Sequence, residues 1–290
     1  MNEECPFCSN AATYKKIIQY SNLIWVKCNN CNGGRLKSYI SELERESDTL
    51  HDVYKRYIES SRIFDKIAKE KANWLLSKWN ENFIVVEIGA GLGSVAKQLR
   101  EINPSIPYMA IEPNSTFADY LMGQGTKVFT GDPLVSLENA VKEVISLNKK
   151  ALFLMDNVLE HVPYPTKYLN FLQSISPSGS IICIEVPNEA GLKWRAEIQD
   201  FIRGFKKPPT FPGHINLFTK RVLRYTLLKA SFVNISVKYK AIRSDEQVAY
   251  LLQSEKLSLK TKLAVRFLKF IPVDYLLGIP YWLRGEAQVR

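Results

Sequence analysis

The 290-residue sequence lacks two features that would direct it into a membrane or out of the cell. It contains no run of about 18 consecutive apolar residues, the length that a membrane-spanning helix needs. Its N-terminus does not combine a basic start with an apolar stretch, as a secretory signal does. We therefore expect a cytoplasmic protein with no transmembrane segment, in a compartment where thiols stay reduced.

Cysteine is also scarce, and four of the five cysteines lie in one N-terminal stretch. In a reducing compartment, Cys-x-x-Cys pairs indicate metal binding or redox chemistry rather than structural disulfides, and a redox site needs only one pair. Four thiolates match a closed tetrahedral zinc site, so residues 1–34 are interpreted as a zinc-ribbon module with a structural Zn²⁺. Cys183 is predicted to be a buried strand residue. The predicted ligands form two pairs separated by nineteen residues: Cys5, Cys8, Cys28 and Cys31.

The rest of the chain divides into three segments. Residues 35–82 have apolar positions at helical spacing and are predicted to be a helical linker or lid. Residues 83–240 alternate short apolar strands with helices, which predicts an α/β fold with a doubly wound, mostly parallel sheet. Residues 241–290 form a basic, partly amphipathic C-terminal extension. That extension is expected either to pack on the main domain or to contact a membrane surface peripherally.

A glycine-rich turn follows the first strand of the α/β segment. In the stretch VVEIGAGLGSVAKQL, a strand leads into Gly89, Gly91 and Gly93 and then into a helix. Glycines allow a tight turn and let a cofactor approach the backbone closely. The spacing differs from the dinucleotide pattern Gly-x-Gly-x-x-Gly, and the acidic Glu87 precedes the turn. A carboxylate suits the ammonium group of S-adenosylmethionine (SAM) better than a pyrophosphate, so SAM is favoured over NAD.

Acidic residues also end the next three predicted strands. Glu112 ends the second strand, nineteen residues after Gly93, where a carboxylate can accept hydrogen bonds from both ribose hydroxyls. Asp132 follows the third strand, where it can accept the exocyclic amine of adenine, and Asp156 ends the fourth. Ligands of open parallel sheets bind at the carboxyl ends of the strands. The acids therefore predict a cofactor site along this edge.

This ordered set of motifs resembles the class I SAM-dependent methyltransferases. The resemblance covers residues 83–240 and rests on the stretches VEIGAGLG, IEP, GD and DNVLEHV. It implies a seven-stranded Rossmann-like sheet whose last strand is antiparallel. It also implies that the methionine part of SAM lies at the glycine turn, with the fourth strand's end as the pocket floor. The implied cofactor residues are Glu87, Gly89, Ala90, Gly91, Gly93, Glu112, Pro113, Asp132, Asp156, Asn157 and Val158.

The three histidines are the first candidates for a catalytic base. Methyl transfer needs a base only if the acceptor must lose a proton. His51 is interpreted as a surface residue, and His161 as either a base or a packing residue. His214, in the Pro/Gly-rich stretch PGHINLFT, is the best candidate base. A purely structural role for His214, as a helix cap or a hydrogen-bond partner within its loop, stays equally open.

The stretch HINLFTKRVLRYTLLKASF resembles methyltransferases of sugar and cell-surface polysaccharide pathways. In those enzymes the histidine faces the acceptor, and an N-terminal metal module precedes a tyrosine-bearing helical segment. The resemblance implies a small-molecule or sugar-type acceptor, with His214 facing it and Tyr54 or Tyr57 reaching it. The carbon-methylating members carry an acid directly before the histidine, where this chain has Gly213. Whether carbon, nitrogen or oxygen is methylated therefore stays open.

Two other functions stay open on the sequence alone. From Lys193 onward the chain has 19 Lys and Arg against 7 Asp and Glu, a local net charge of +12. Such a charge suits phosphate contacts, and zinc modules precede the catalytic domain in some rRNA enzymes, so an rRNA or tRNA methyltransferase is one alternative. The other alternative is an inactive methyltransferase fold acting as a scaffold. The intact set of glycines and acids argues against the scaffold.

Overall fold

The structure is a computed structural model that describes residues 4–20, 23–37, 61–190, 214–240 and 282–290. None of the helices in these ranges is both long enough and apolar enough to cross a membrane. The strands are β1 (Tyr14–Tyr20), β2 (Leu23–Cys28), β3 (Gly34–Leu36), β4 (Phe83–Ile88), β5 (Tyr108–Ile111), β6 (Lys127–Phe129), β7 (Lys150–Asp156), β8 (Ile181–Pro187), β9 (Asn216–Leu217), β10 (Val233–Lys240) and β11 (Trp282–Gln288). The helices are α1 (Ser61–Leu76), α2 (Ser94–Ile102), α3 (Ser115–Gly123), α4 (Pro133–Ser146), α5 (Pro165–Ile175) and α6 (Lys220–Lys229), with a 3-10 turn at Leu159–His161.

Seven of these strands form one sheet, in the order β10-β11-β8-β7-β4-β5-β6. The five strands from β4 to β8 are mutually parallel, whereas β11 is antiparallel to both of its neighbours. The sequences of β4, β7 and β8 are nearly continuous apolar runs because both faces of these strands are covered. The predicted doubly wound, mostly parallel α/β sheet is confirmed, and so is its antiparallel last strand.

Strand β11 comes from the segment that the sequence analysis placed in a separate extension. Trp282–Gln288 lies between β8 and β10 in the sheet, so the domain boundary predicted at residue 240 is wrong for this stretch. Alternate residues of β11 are buried, as in other half-covered strands. Its half-buried positions include Arg284 and Glu286, which pair with Glu185 and Lys78. Because β11 contains these charged residues and lies in a basic segment, its sequence did not indicate a strand of the sheet.

Each face of the sheet packs on its own set of helices, because successive strand residues point to opposite sides. In β4, Ile84, Val86 and Ile88 belong to the core shared with α4, α5 and α6. Phe83 and Val85 belong to the core shared with α1 and α2. All five side chains are at most 7% exposed. The sheet is therefore the middle of three layers, and the loops at its carboxyl edge are left to form a site.

The N-terminal module forms a second sheet, in the order β1-β2-β3-β9. Strands β1 and β2 are antiparallel neighbours. The fourth strand, Asn216–Leu217, comes from the α/β segment, and its residues pair with Arg35 and Gly34 of β3. The module predicted as residues 1–34 therefore shares a sheet with a distant part of the chain.

The first cysteine pair rests on the start of α5. Thr166 Oγ1 donates a hydrogen bond to the Phe7 carbonyl oxygen at 2.8 Å, and the Thr166 amide donates to the Pro6 carbonyl oxygen at 3.4 Å. The Phe7 ring meets the Phe218 ring edge-on, with centroids 5.4 Å apart. Phe7 and Phe218 belong to one buried cluster that includes the main sheet. The module is thus fixed beside the carboxyl edge of the sheet.

Candidate functional site

The glycine turn after β4 is packed on two sides and open on the third. Gly89, Gly91 and Gly93 have φ angles of 72°, 54° and 69°, a region where other residues are strained. A Cβ at Gly89 would lie 2.6 Å from Val158 Cγ2, and one at Gly93 would lie 2.4 Å from Leu121 Cδ2. Among the described residues, a Cβ at Gly91 would meet no atom within 4 Å. The turn therefore forms a backbone cradle that is open at Gly91 and fits a ligand.

Glu112, directly after β5, is held beside this cradle by two backbone amides. The Gly91 amide donates to Glu112 Oε2 at 2.7 Å, and the Asn114 amide donates to Oε1 at 2.9 Å. Burial raises the pKa of Glu112, although both amides act to lower it. Each carboxylate oxygen keeps a further lone pair for another donor. This geometry fits the ribose diol of SAM, with the exposed Pro113 following in the chain.

Glu87 lies one residue before the end of β4 and is buried. Its carboxyl group accepts a hydrogen bond from the Tyr108 hydroxyl. Burial is the main reason that the pKa of Glu87 rises to about 8, while the hydrogen bond from Tyr108 acts to lower it. A neighbouring cation would favour the ionised carboxylate. The position suits attraction of the SAM ammonium group, and that role stays a prediction.

Asp132 lies at the start of α4. It is exposed, and its Oδ1 accepts hydrogen bonds from the amides of Leu134 and Val135, each at 3.0 Å. The residue is therefore the N-cap of α4. These bonds use one carboxylate oxygen, and the other can accept from an adenine amine. The predicted contact to adenine stays a prediction, as does that of Ala90, which is buried in the glycine turn.

Asp156, Asn157 and Val158 form the predicted floor of the pocket, at the end of β7. Lys71 Nζ of α1 lies 2.5 Å from Asp156 Oδ2, and Asn157 Nδ2 donates to Asp156 Oδ1 at 2.9 Å. Asn157 has a φ of 52°, which turns the chain sharply after the strand. Val158 lies against Gly89. The floor and the glycine turn therefore adjoin each other on neighbouring strands.

A buried group of charges next to the floor was missed by sequence reasoning. Glu185 of β8 is 1% exposed and lies 2.8 Å from Arg284 Nη2, 3.1 Å from Lys240 Nζ and 3.4 Å from Lys71 Nζ. Burial alone would raise the pKa of Glu185, but the three cations outweigh it and lower the pKa to about 2. Lys71 contacts both Glu185 and Asp156, so this group ties α1 to the floor.

Beyond the floor, two of the three histidines lie side by side. The rings of His161 and His214 meet edge-on, with centroids 5.1 Å apart. His214 Nε2 lies 3.9 Å from Glu160 Oε1, and His214 Nδ1 lies 3.8 Å from Glu189 Oε1. The structure thus brings together both histidines predicted as candidate bases. It adds two acids, Glu160 and Glu189, that sequence reasoning did not select.

Backbone hydrogen bonds hold the segment that carries His214. The Ile215 amide donates to the Glu160 carbonyl oxygen at 3.1 Å, and the Glu189 amide donates to the Phe218 carbonyl oxygen at 2.7 Å. The segment is therefore bonded to the turn after β7 on one side and to the residues after β8 on the other. Its histidine is held in place by the scaffold.

Glu160 stands out within this cluster. It is 1% exposed, and neither of its carboxylate oxygens has a hydrogen-bond partner among the described residues. Burial raises the pKa of Glu160 well above its usual value, and the charges of Asp156 and Glu189 act in the same direction. The signal that could have found it in the sequence is its place directly before His161, four residues after Asp156.

The four N-terminal cysteines come together as a second cluster. Their sulfur atoms lie within 4.8 Å of one another, with Cys5 Sγ and Cys31 Sγ 3.6 Å apart, and all four are free thiols. Ligands at about 2.3 Å from a tetrahedral Zn²⁺ are about 3.8 Å apart. The Gly33 amide donates to Cys31 Sγ at 3.3 Å. Cys5, Cys8, Cys28 and Cys31 therefore fit a structural zinc site.

Some predicted features lie outside the described residues. Tyr54 and Tyr57 are among them, so their contact with the acceptor stays a prediction. Residues 241–281 are also outside, and with them most of the extension predicted to pack on the domain or touch a membrane. Within the described residues, the predicted helical linker of 35–82 is represented by α1 (Ser61–Leu76).

The sheet order, the glycine turn and the acids that follow it define a Rossmann-like, class I SAM-dependent methyltransferase. Residues 54–237, more than half of the chain, match the family described as methyltransferase domain. The chain belongs to this family. Among proteins of curated function, none matches its sequence.

Solved methyltransferases share the fold. A SAM-dependent methyltransferase from Thermotoga maritima, described as a possible histamine N-methyltransferase, is 17% identical with a TM-score of 0.50, and the match covers 83% of this chain and 97% of that one. The plantazolicin methyltransferase BamL, solved with a triazolic desmethylPZN analog and SAH, is 15% identical with a TM-score of 0.50, and the match covers 84% of this chain and 91% of that one. At these identities the likeness shows the fold.

Proposed function

We propose that this methyltransferase acts on a small-molecule or sugar-type acceptor that binds between the glycine turn and the two histidines. The observation that supports this most directly is the placement of His161 and His214 beyond Val158. Imidazole and carboxyl groups can donate hydrogen bonds to a hydroxyl-rich ligand and accept hydrogen bonds from it. The cleft there is bordered by the floor at the end of β7 and by the segment that leads into β9.

The residues of the chain have to align the acceptor and take up its proton. SAM, held by the glycine turn and Glu112, supplies the electrophilic methyl group. The transfer is an in-line displacement that depends on positioning. His214 can accept a proton from the acceptor through Nε2, because Glu189 Oε1, 3.8 Å from Nδ1, orients the imidazole ring. Glu189 would then supply the acid that is missing at Gly213.

Replacement of His214 by alanine tests this assignment. We expect His214→Ala to bind SAM with wild-type affinity by calorimetry, because the glycine turn is untouched. Methyl transfer should fall by about 10²- to 10⁴-fold, the usual contribution of a general base. His51→Ala is the matched histidine control and should keep full turnover. Unchanged transfer by His214→Ala, with an acceptor found by screening sugars and sugar nucleotides, would refute the role of His214.

We also infer that the four cysteines hold a structural Zn²⁺ that frames the acceptor side of the cleft. The support is the shared sheet, since β9 pairs with β3 of the module and directly follows the His214 segment. Metal analysis should find one zinc per chain. Cys8→Ser should reduce that content, while Cys183→Ser, at a buried strand position of β8, should retain it. Equal zinc content in both variants would contradict the assignment.

An rRNA or tRNA acceptor is the second candidate, and the +12 charge of the chain from Lys193 onward favours it. RNA binding measured against salt concentration separates the two candidates. A nucleic-acid enzyme should bind RNA tightly at low ionic strength, with affinity that falls steeply as salt rises. Absence of binding at low salt would exclude this candidate. Absence of SAM binding by calorimetry would instead leave the inactive scaffold.

A further inference from the structure

Glu160, His161 and His214 form a three-residue cluster that resembles a metal site. One possible ligand atom from each lies within 4.8 Å of the others. Two imidazoles and one carboxylate make up a ligand set typical of divalent first-row transition metals. We propose that this cluster binds a divalent transition-metal ion at the acceptor end of the cleft, separately from the four-cysteine site.

The surroundings of Glu160 give the first argument. A buried carboxylate normally has hydrogen-bond partners, an opposite charge or a metal ion, because its desolvation is otherwise costly. Neither oxygen of Glu160 has a hydrogen-bond partner among the described residues, although the side chain is 1% exposed. A bound cation would provide the missing compensation. The bond from the Ile215 amide to the Glu160 carbonyl oxygen holds the backbone from which this side chain extends.

The two nitrogens of His214 give the second argument. Nε2 faces Glu160 at 3.9 Å, and Nδ1 faces Glu189 at 3.8 Å. A histidine that binds a metal through one nitrogen usually directs the other toward a carboxylate or carbonyl group, which orients the ring. Glu189 is placed to do this for His214. The arrangement assigns Nε2 to the ion and Nδ1 to the orienting acid.

The cluster is close to the size of a coordination sphere and leaves positions open. Metal–nitrogen bonds of about 2.1 Å place neighbouring ligand atoms about 3 to 3.5 Å apart, so the side chains must move inward by about 1 Å. His161 is exposed and can adjust its ring. Three protein ligands leave further positions for acceptor oxygens or water, as in catalytic rather than structural sites.

The catalytic consequence rests on the proposed function and changes the role of His214 from base to ligand. An ion that binds an acceptor hydroxyl lowers the pKa of that hydroxyl, which then loses its proton to solvent. An oxygen lone pair forms the new bond to the methyl carbon, and the carbon–sulfur bond breaks with its electron pair remaining on sulfur. The ion itself undergoes no redox change.

Mn²⁺ is a suitable probe because it binds carboxylate and water oxygens in preference to thiolates, which favour zinc. The full chain, with its cysteines loaded with zinc, is titrated with Mn²⁺, and free ion is followed by electron paramagnetic resonance. We expect one Mn²⁺ per chain. Glu160→Gln and His214→Ala should each weaken binding at least tenfold, and His51→Ala should leave it unchanged. SAM calorimetry on every variant verifies that it is folded.

Thermal unfolding gives a second readout. Mn²⁺ should raise the Tm of the wild-type chain, since an ion that binds only the folded state stabilises it, and should not raise that of Glu160→Gln. Absence of Mn²⁺ binding, or binding that both variants retain, would overturn the metal site. If Mn²⁺ does not bind while His214→Ala still loses methyl transfer, the proposed function survives with His214 as base. If Mn²⁺ binds but no sugar-type acceptor is methylated, only the acceptor class fails.

Discussion

Two glutamates at the carboxyl edge of the sheet are equally buried and have opposite surroundings. Glu185 and Glu160 are each 1% exposed. Glu185 lies within 3.4 Å of Lys71, Lys240 and Arg284, and its pKa is lowered to about 2 by these cations against the effect of burial. Glu160 has no hydrogen-bond partner for its carboxylate among the described residues, and burial raises its pKa.

The difference separates Glu185, which has buried cationic partners, from Glu160, which the proposal above assigns to a bound ion. A buried charge whose partners come from α1, β10 and β11 connects those elements beneath the cofactor site. A buried acid without such partners raises the free energy of the folded chain, and groups of that kind concentrate at functional sites. The buried charge on the cofactor side is therefore paired within the described residues, whereas the proposal above assigns the buried charge on the acceptor side to a bound ion.

Removal of the charge on Glu185 should have the largest effect. Glu185→Gln leaves Lys71, Lys240 and Arg284 buried around a neutral side chain, and breaking a buried ion group in this way costs about 3 to 5 kcal/mol. Urea unfolding measures the loss. Glu138→Gln, which removes an exposed pair with Lys142, is the control and should cost at most about 0.5 kcal/mol. Equal losses of unfolding free energy in the two variants would contradict the structural role of Glu185.

Glu87 is a third buried glutamate, and its carboxyl group accepts a hydrogen bond from the Tyr108 hydroxyl. Its raised pKa predicts that the stability of the folded chain depends on pH. The folded-state pKa of about 8 lies above the ordinary 4.5, so the folded chain holds more protons between these values. The contribution of Glu87 to stability is therefore full below pH 4.5 and is lost as the pH rises through 8. Glu185 behaves in the opposite way: its contribution is present above pH 4.5 and is lost as the pH falls toward 2.

Unfolding free energies measured between pH 5 and 8 test the prediction for Glu87. As the pH rises from 5 to 8, the free energy of unfolding of the wild-type chain should fall, relative to that of Glu87→Gln, by on the order of a few kcal/mol. SAM should reduce the loss, because its ammonium group would favour the ionised carboxylate. A pH dependence identical in the two proteins would show that Glu87 does not titrate in this way.

The cofactor side could be predicted from the sequence because its signals are local. The glycines of the turn adjoin β4, and Glu112 and Asp156 each follow an apolar strand. Positive φ angles at Gly89 and Gly91, and the two amides that bind Glu112, agree with that interpretation. Motifs of this kind are readable because a strand, its turn and its final acid are consecutive in the chain.

The surroundings of Glu185 and Glu160 could not be predicted, because they come from distant segments of the chain. Glu185 meets Lys71 and Arg284, which lie 114 residues before it and 99 residues after it. The Glu160 carbonyl oxygen accepts from the Ile215 amide, which lies 55 residues further along the chain. Strand β11 was missed for the same reason, since its partner β8 lies about a hundred residues away. Side-chain burial at such places is decided by tertiary packing.

The smallest expected effect has the opposite sign and is the sharpest test of the comparison. Glu160→Met replaces the buried carboxyl with an unbranched apolar side chain of similar length. We compare proteins that carry zinc at the cysteines and no other added metal. The free energy of unfolding of this variant should exceed that of the wild-type chain by about 1 kcal/mol, because an unsatisfied buried polar group is removed. Urea unfolding detects the gain, and added Mn²⁺ should reverse the order by stabilising only the wild-type chain. A loss comparable to that of Glu185→Gln would mean that Glu160 is as well paired as Glu185, and the distinction between the two sides of the cleft would fail.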